Sequence, residues 1–137
     1  MERTETPYAL KREVDLSYEV ADRRIREELA AQGFGVLTEI DVRETLRKKL
    51  DVDFPPYVIL GACNPSLAHR ALGAEPDIGL LLPCNVVVRR DEEAGTTIVE
   101  AMDPAPLIKL TGNDALDEIA GEARSRLQAA LDRVAAG

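Results

Sequence analysis

The 137-residue sequence has no tryptophan, and aromatic residues of any kind make up only 4% of it. Proteins that hold single-stranded nucleic acid stack bases on exposed rings, and this chain has few rings to offer. Positive charge is also scarce. Seventeen Lys and Arg stand against twenty-five Asp and Glu, a net charge of −8 that repels a phosphate backbone. The basic clusters RRIR (23–26) and RKK (47–49) lie beside Glu27, Glu28, Glu44 and Asp51, the pattern of solvated helix faces. Nucleic acid is therefore not an expected partner.

Long hydrophobic runs are missing too. The longest, IGLLLPCNVVV, is far shorter than the roughly 20 residues of a membrane helix, and MERTETPYALKRE has no apolar targeting core. The expectation is a cytoplasmic chain with no membrane partner. Only Cys63 and Cys84 carry thiols, which a reducing compartment keeps free. The single histidine, His69, shares no compact zinc spacing with them, so neither metal nor cofactor is expected. GFG at 33–35 lacks the third glycine of a phosphate-binding loop, and no Gly-x-Ser-x-Gly nucleophile motif occurs.

What the chain does have is aliphatic periodicity. Apolar residues supply 45% of it, enough to fill one core at this length, so residues 1–137 read as a single domain. Tyr8 to Leu16 alternate as a half-buried strand does. Ser17 then caps a helix with Tyr18, Ala21, Ile25 and Leu29 on one stripe and Gly33 as its stop. FGVLTEIDV alternates again, placing Phe34, Val36 and Ile40 on one face and Glu39 and Asp41 on the other, toward water. Asp41 and Glu44 open a short helix that ends before Pro55-Pro56. YVILGAC (57–63) is apolar throughout, as a strand buried on both faces is. Asn64, Pro65 and Gly73 bracket a helix over 65–72. IGLLLPCNVVVRR is predicted as the longest strand, with a bulge or an edge at Pro83, and RDEEAG turns it into a hairpin with TTIVEAMD. DPAPLIKLTG crosses to a final helix at about 113–135. This order describes an α+β domain with a mostly antiparallel sheet of about five strands.

Three phrases, GFGVLTEIDV, PYVILGACNPSLAHRAL and EPDIGLLLPCNVVV, followed by VEAMDP, closely resemble the prokaryotic family called domain of unknown function 302, over about residues 15–105. The resemblance implies a small α+β fold with helices packed on one face of the sheet, similar to the TATA-binding-protein-like arrangement, and often oligomeric. It implies no activity. The saddle of the TATA-binding protein itself combines basic residues with aromatic wedges, which this chain lacks.

The residues that invite chemistry cluster around two short phrases, ACN and PCN. A helix opening at Pro65 leaves amides near Ser66 and Leu67 without intrahelical partners, so Cys63 and Asn64 stand where a thiolate or a small anion is favoured. The alternative is that Asn64 caps those amides and Cys63 is a packed hydrophobe. Cys84 and Asn85 join the candidate site if a bulge at Pro83 turns Cys84 toward the Cys63 strand. The expected function is a small-ligand or anion binding module with Cys63, Asn64, Cys84 and Asn85 lining the site. A thiol-dependent redox or transfer protein using Cys63 and Cys84, and a purely structural oligomerisation module, are the alternatives. The apolar surplus of the two central strands favours a subunit interface, so a homo-oligomer, most simply a dimer, is the expected partner arrangement.

Overall fold

The computed structural model describes residues 6–136. Gly137 and the first five residues, on which part of the N-terminal reading rests, lie outside them. Five strands form one open antiparallel sheet: β1 (Ala9–Val14), β2 (Gly35–Asp41), β3 (Tyr57–Cys63), β4 (Cys84–Asp91) and β5 (Thr96–Met102), in the spatial order β1-β5-β4-β3-β2. Five α-helices accompany them: α1 (Tyr18–Ala31), α2 (Val42–Leu50), α3 (Pro65–Ala74), α4 (Pro104–Lys109) and α5 (Asp117–Ala136). None of the described helices is long and apolar enough to cross a membrane.

Helix boundaries follow local chemistry. Ser17, Asp41 and Asn64 accept hydrogen bonds from the amides of Val20, Glu44 and Leu67, each three residues on. Gly33 ends α1 with φ +86°, and Asp51 ends α2 in the left-handed region at φ 52°. Asp103 caps α4 through the Ala105 amide and also takes Arg124 Nε at 3.1 Å, tying α4 to α5.

The core lies between one sheet face and α1 with α5. Val58, Leu60, Ala62, Val86, Val88, Val99 and Ala101 point from the sheet to meet Ile25 and Leu29 of α1 and Leu127 and Leu131 of α5. Burying such side chains at about 1.5–3 kcal/mol each is the main stabilising contribution. A smaller cluster (Leu67, Ala71, Ile78, Leu116, Ile119, Ala123) fills the end of the sheet under α3 and the start of α5.

Several sequence expectations change. YVILGAC is buried on one face only, since Tyr57 and Ile59 stay half-exposed on the side without helices, and α3 runs through Gly73 to Ala74. The segment ending at Pro83 is not strand: Pro76–Leu81 form a 3-10 helix, the Leu82–Pro83 peptide is cis, and β4 begins only at Cys84. A proline lacks the N–H that a ladder needs, so here it precedes the strand and no bulge within β4 is required. DPAPLIKLTG is not merely a crossing segment, because proline at the first helical position opens α4. In β2 a bulge does occur. Val36 pairs with Ala62 and Thr38 with Gly61, leaving Leu37 unpaired and 68% exposed. The extra residue inverts the alternation beyond it, so Glu39 turns toward the helices, where Arg26 of α1 meets it, and Ile40 turns to the uncovered face.

Candidate functional site

The order of the sheet sets β5, β4 and β3 side by side, and at one end of this trio the chain leaves the sheet twice and enters it once. β3 ends on Cys63, β4 begins with Cys84 and β5 ends on Met102. Helix α3, the 3-10 helix, α4 and α5 close over that end and leave a cavity of about 50 Å3. Its walls are almost wholly apolar, with Leu67, Ala71, Ile78, Ile108, Ile119 and Ala123 among them. Cys63, Asn64, Cys84 and Met102 border it too.

Asn64 is buried and its hydrogen bonds are committed to the fold. Its Oδ1 accepts from the Leu67 amide at 3.2 Å, and its Nδ2 donates to the Gln32 carbonyl at 3.5 Å. The same carbonyl accepts from Arg126 Nη1 at 3.0 Å, so Asn64 joins the start of α3 to the α1–β2 turn and to α5. Gly33 in that turn is favoured by its positive φ and by space: a Cβ there would lie 3.1 Å from Asn64 Nδ2. This is helix capping, and it takes up a donor that an anion at the helix start would use.

The register pairs Ala62 with Cys84, so Cys84 stands on the helix-covered face with Val86 and Val88. Cys63 is one residue out of step with it, and neighbouring residues of a strand point to opposite faces. Both cysteines are free thiols, each partly buried. Burial pushes the Cys84 thiol up from an ordinary 9.0 to about 11, and the nearby Cys63 pushes in the same direction. A thiol held in this way is a weak nucleophile and a slow leaving group near neutrality.

Asn85 is not part of this cavity. Strand alternation sends it to the uncovered face, where it borders a separate groove with Tyr8, Lys11, Tyr57, Arg89 and Glu100. Lys11 and Arg89 both pair with Glu100 there, at 3.9 and 2.9 Å. His69 is exposed on α3 and does not border the cavity. Among the described residues, no three His, Cys, Asp or Glu side chains converge as metal ligands. Sequence reasoning passed over Met102. The signal for it was its place as the last residue of a strand that the TTIVEAMD hairpin sets beside Cys84.

The comparisons agree on kinship. The family model described as "Domain of unknown function DUF302" matches residues 10–134. A solved structure, described as the crystal structure of uncharacterized conserved protein DUF302 from Bacillus stearothermophilus, is 36% identical. The match covers 94% of this chain and 99% of that one, with a TM-score of 0.87. Among curated proteins, none matches. With both the matched span and the antiparallel α+β architecture in agreement, the chain belongs to the DUF302 family.

Proposed function

We propose that this protein is a small-ligand binding module whose site is the cavity at the sheet end, bordered by Cys63, Asn64 and Cys84. The observation that carries the reading is an apolar void of about 50 Å3 kept open beside two thiols. Close-packed interiors lose stability for every void they retain, so a cavity at the end of the core favours a purpose. Drug-sized ligands occupy pockets of about 300–1,000 Å3, so the ligand here is compact, a few heavy atoms at most. It is also weakly hydrated, since the walls offer few polar partners. The anion variant loses support because Asn64 Oδ1 already occupies the Leu67 amide. Free thiols fit a cytoplasmic setting.

Xenon titration followed by methyl NMR tests this. The methyls of Ile78, Ile108 and Ile119 are expected to shift with saturation, and Ala123→Leu, which fills the cavity, is expected to abolish the response. Unmoved methyls in a folded protein would remove the reading.

The uncovered sheet face supports a second reading, homodimerisation. Tyr57, Ile59 and Val87 lie partly exposed there, and Ile40 is 49% exposed. A second copy related by a two-fold axis would bury them. Sedimentation velocity is expected to show a dimer that Ile59→Glu dissociates; a wild-type monomer at all concentrations would dismiss it. The thiol-transfer alternative has the least support, because Cys84 holds its proton tightly.

A further inference from the structure

Beyond Met1, the chain contains two cysteines and one methionine, and all three fall at the same end of the sheet. They occupy three adjacent strands: Cys63 on β3, Cys84 on β4 and Met102 on β5. The registers Ala62–Cys84 and Val86–Ala101 place Cys84 between the other two, one residue out of step with each. Within a continuous strand, alternation would divide the three between the sheet faces. Each is instead a terminal residue of its strand, Cys63 and Met102 the last and Cys84 the first, and all three border the same apolar cavity.

We propose that Cys63, Cys84 and Met102 form a binding site for one soft monovalent metal ion, Cu(I). The proposal rests on the cavity reading above and names its ligand class. Thiolate and thioether sulfur select soft ions, while carboxylate and water donors select hard ones. Zinc needs four donors, and among the described residues no third His, Cys, Asp or Glu joins the two thiols. Cu(I) is satisfied by two or three sulfurs. Charge balance points the same way: one Cu(I) with one thiolate is neutral, and a neutral assembly suits apolar walls that would penalise a divalent ion or a bare anion. Binding forms a copper–sulfur bond and breaks one S–H bond. The proton leaves to solvent, and copper stays Cu(I), so no oxidant or reductant takes part.

The test is anaerobic competition for Cu(I) between the full chain and bathocuproine disulfonate, read by the absorbance of the chelator complex. The wild type is expected to withhold one equivalent. Cys63→Ser and Cys84→Ser are each expected to lose that stoichiometric uptake, and Met102→Leu to shift the competition curve toward the chelator. Thermal unfolding by circular dichroism shows which variants are folded, and Met102→Leu, conservative in volume, keeps the test valid if a serine variant unfolds. The proposal is overturned if the wild type withholds no copper. It is also overturned if the folded Cys63→Ser/Cys84→Ser double variant withholds as much as the wild type, or if Met102→Leu leaves the curve unmoved. Xenon binding that persists without copper uptake would defeat the metal site alone; loss of both would defeat the cavity reading beneath it.

Discussion

Gly61 shows how much of this site depends on what a single residue lacks. It sits near the end of β3, where a Cβ would collide with Thr38 Oγ1 and come within 2.8 Å of Pro83 Cγ. Thr38 is exposed and can swing away, but the Pro83 ring is fixed at the strand start. Gly61→Ala is therefore expected to cost at least about 1–3 kcal/mol, the range for overpacking, in chemical denaturation, and Thr38→Ala to restore only part of it. Gly33→Ala combines a positive φ with the 3.1 Å approach to Asn64, and a loss of about 1–2 kcal/mol is expected there. Cys84 supplies a pH-dependent prediction. Its folded pKa, about 11, lies above the ordinary 9.0, so between those values the folded state keeps a proton that the unfolded state has released. Stability thus falls as pH rises from 9 to 11, by about 2–3 kcal/mol at most. Tyr18, raised from 10.0 to about 12 mainly by burial, adds a loss of the same sign one unit higher. Urea unfolding across pH 8–11 is expected to show a shallower slope in Cys84→Ala than in the wild type.

At the scale of elements, α3 holds the site together through one side chain. Asn64→Ala removes the cap on Leu67 and the link to the Gln32 carbonyl, with an expected loss of about 1–2 kcal/mol by thermal or chemical unfolding. Helix α5 anchors the whole: Leu127→Ala, fully buried, is expected to cost about 2–5 kcal/mol. The elements also show where sequence was informative. Ser17, Gly33, Asp41 and Asn64 announce helix ends because capping is local chemistry, and each functions as its type suggests. The hairpin of β4 and β5 is equally legible. IGLLLP misleads because a short apolar run has no period that separates strand from 3-10 helix. The β2 bulge is invisible because Leu37 fits either side of an alternation, and only pairing with β3 reveals the inserted residue. Three of the four candidate site residues border one cavity, since Cys63 and Asn64 are adjacent and Cys84 opens the neighbouring strand. Asn85 could not follow, because the next residue of a strand must face the other way.

For the molecule as a whole, one face of the sheet is filled with helices and the other is left with a mixture of aromatic, aliphatic and paired charged groups. The cavity and the uncovered face are therefore separable. Ala123→Leu is expected to leave the sedimentation coefficient unchanged, and Ile59→Glu to leave the methyl response to xenon intact; a change of both properties in either variant would show that the two surfaces are coupled. The net charge of −8 bears on the second surface, because two acidic copies repel at long range and association is expected to strengthen with added salt. The kink at Leu37 reaches further still. A flat outer strand with its amides in line is a template on which other chains can continue the ladder, but this rim is bent out of line by its inserted residue. Along that border, growth of the sheet by strand addition is obstructed, and a visiting chain is steered toward meeting the molecule broadside.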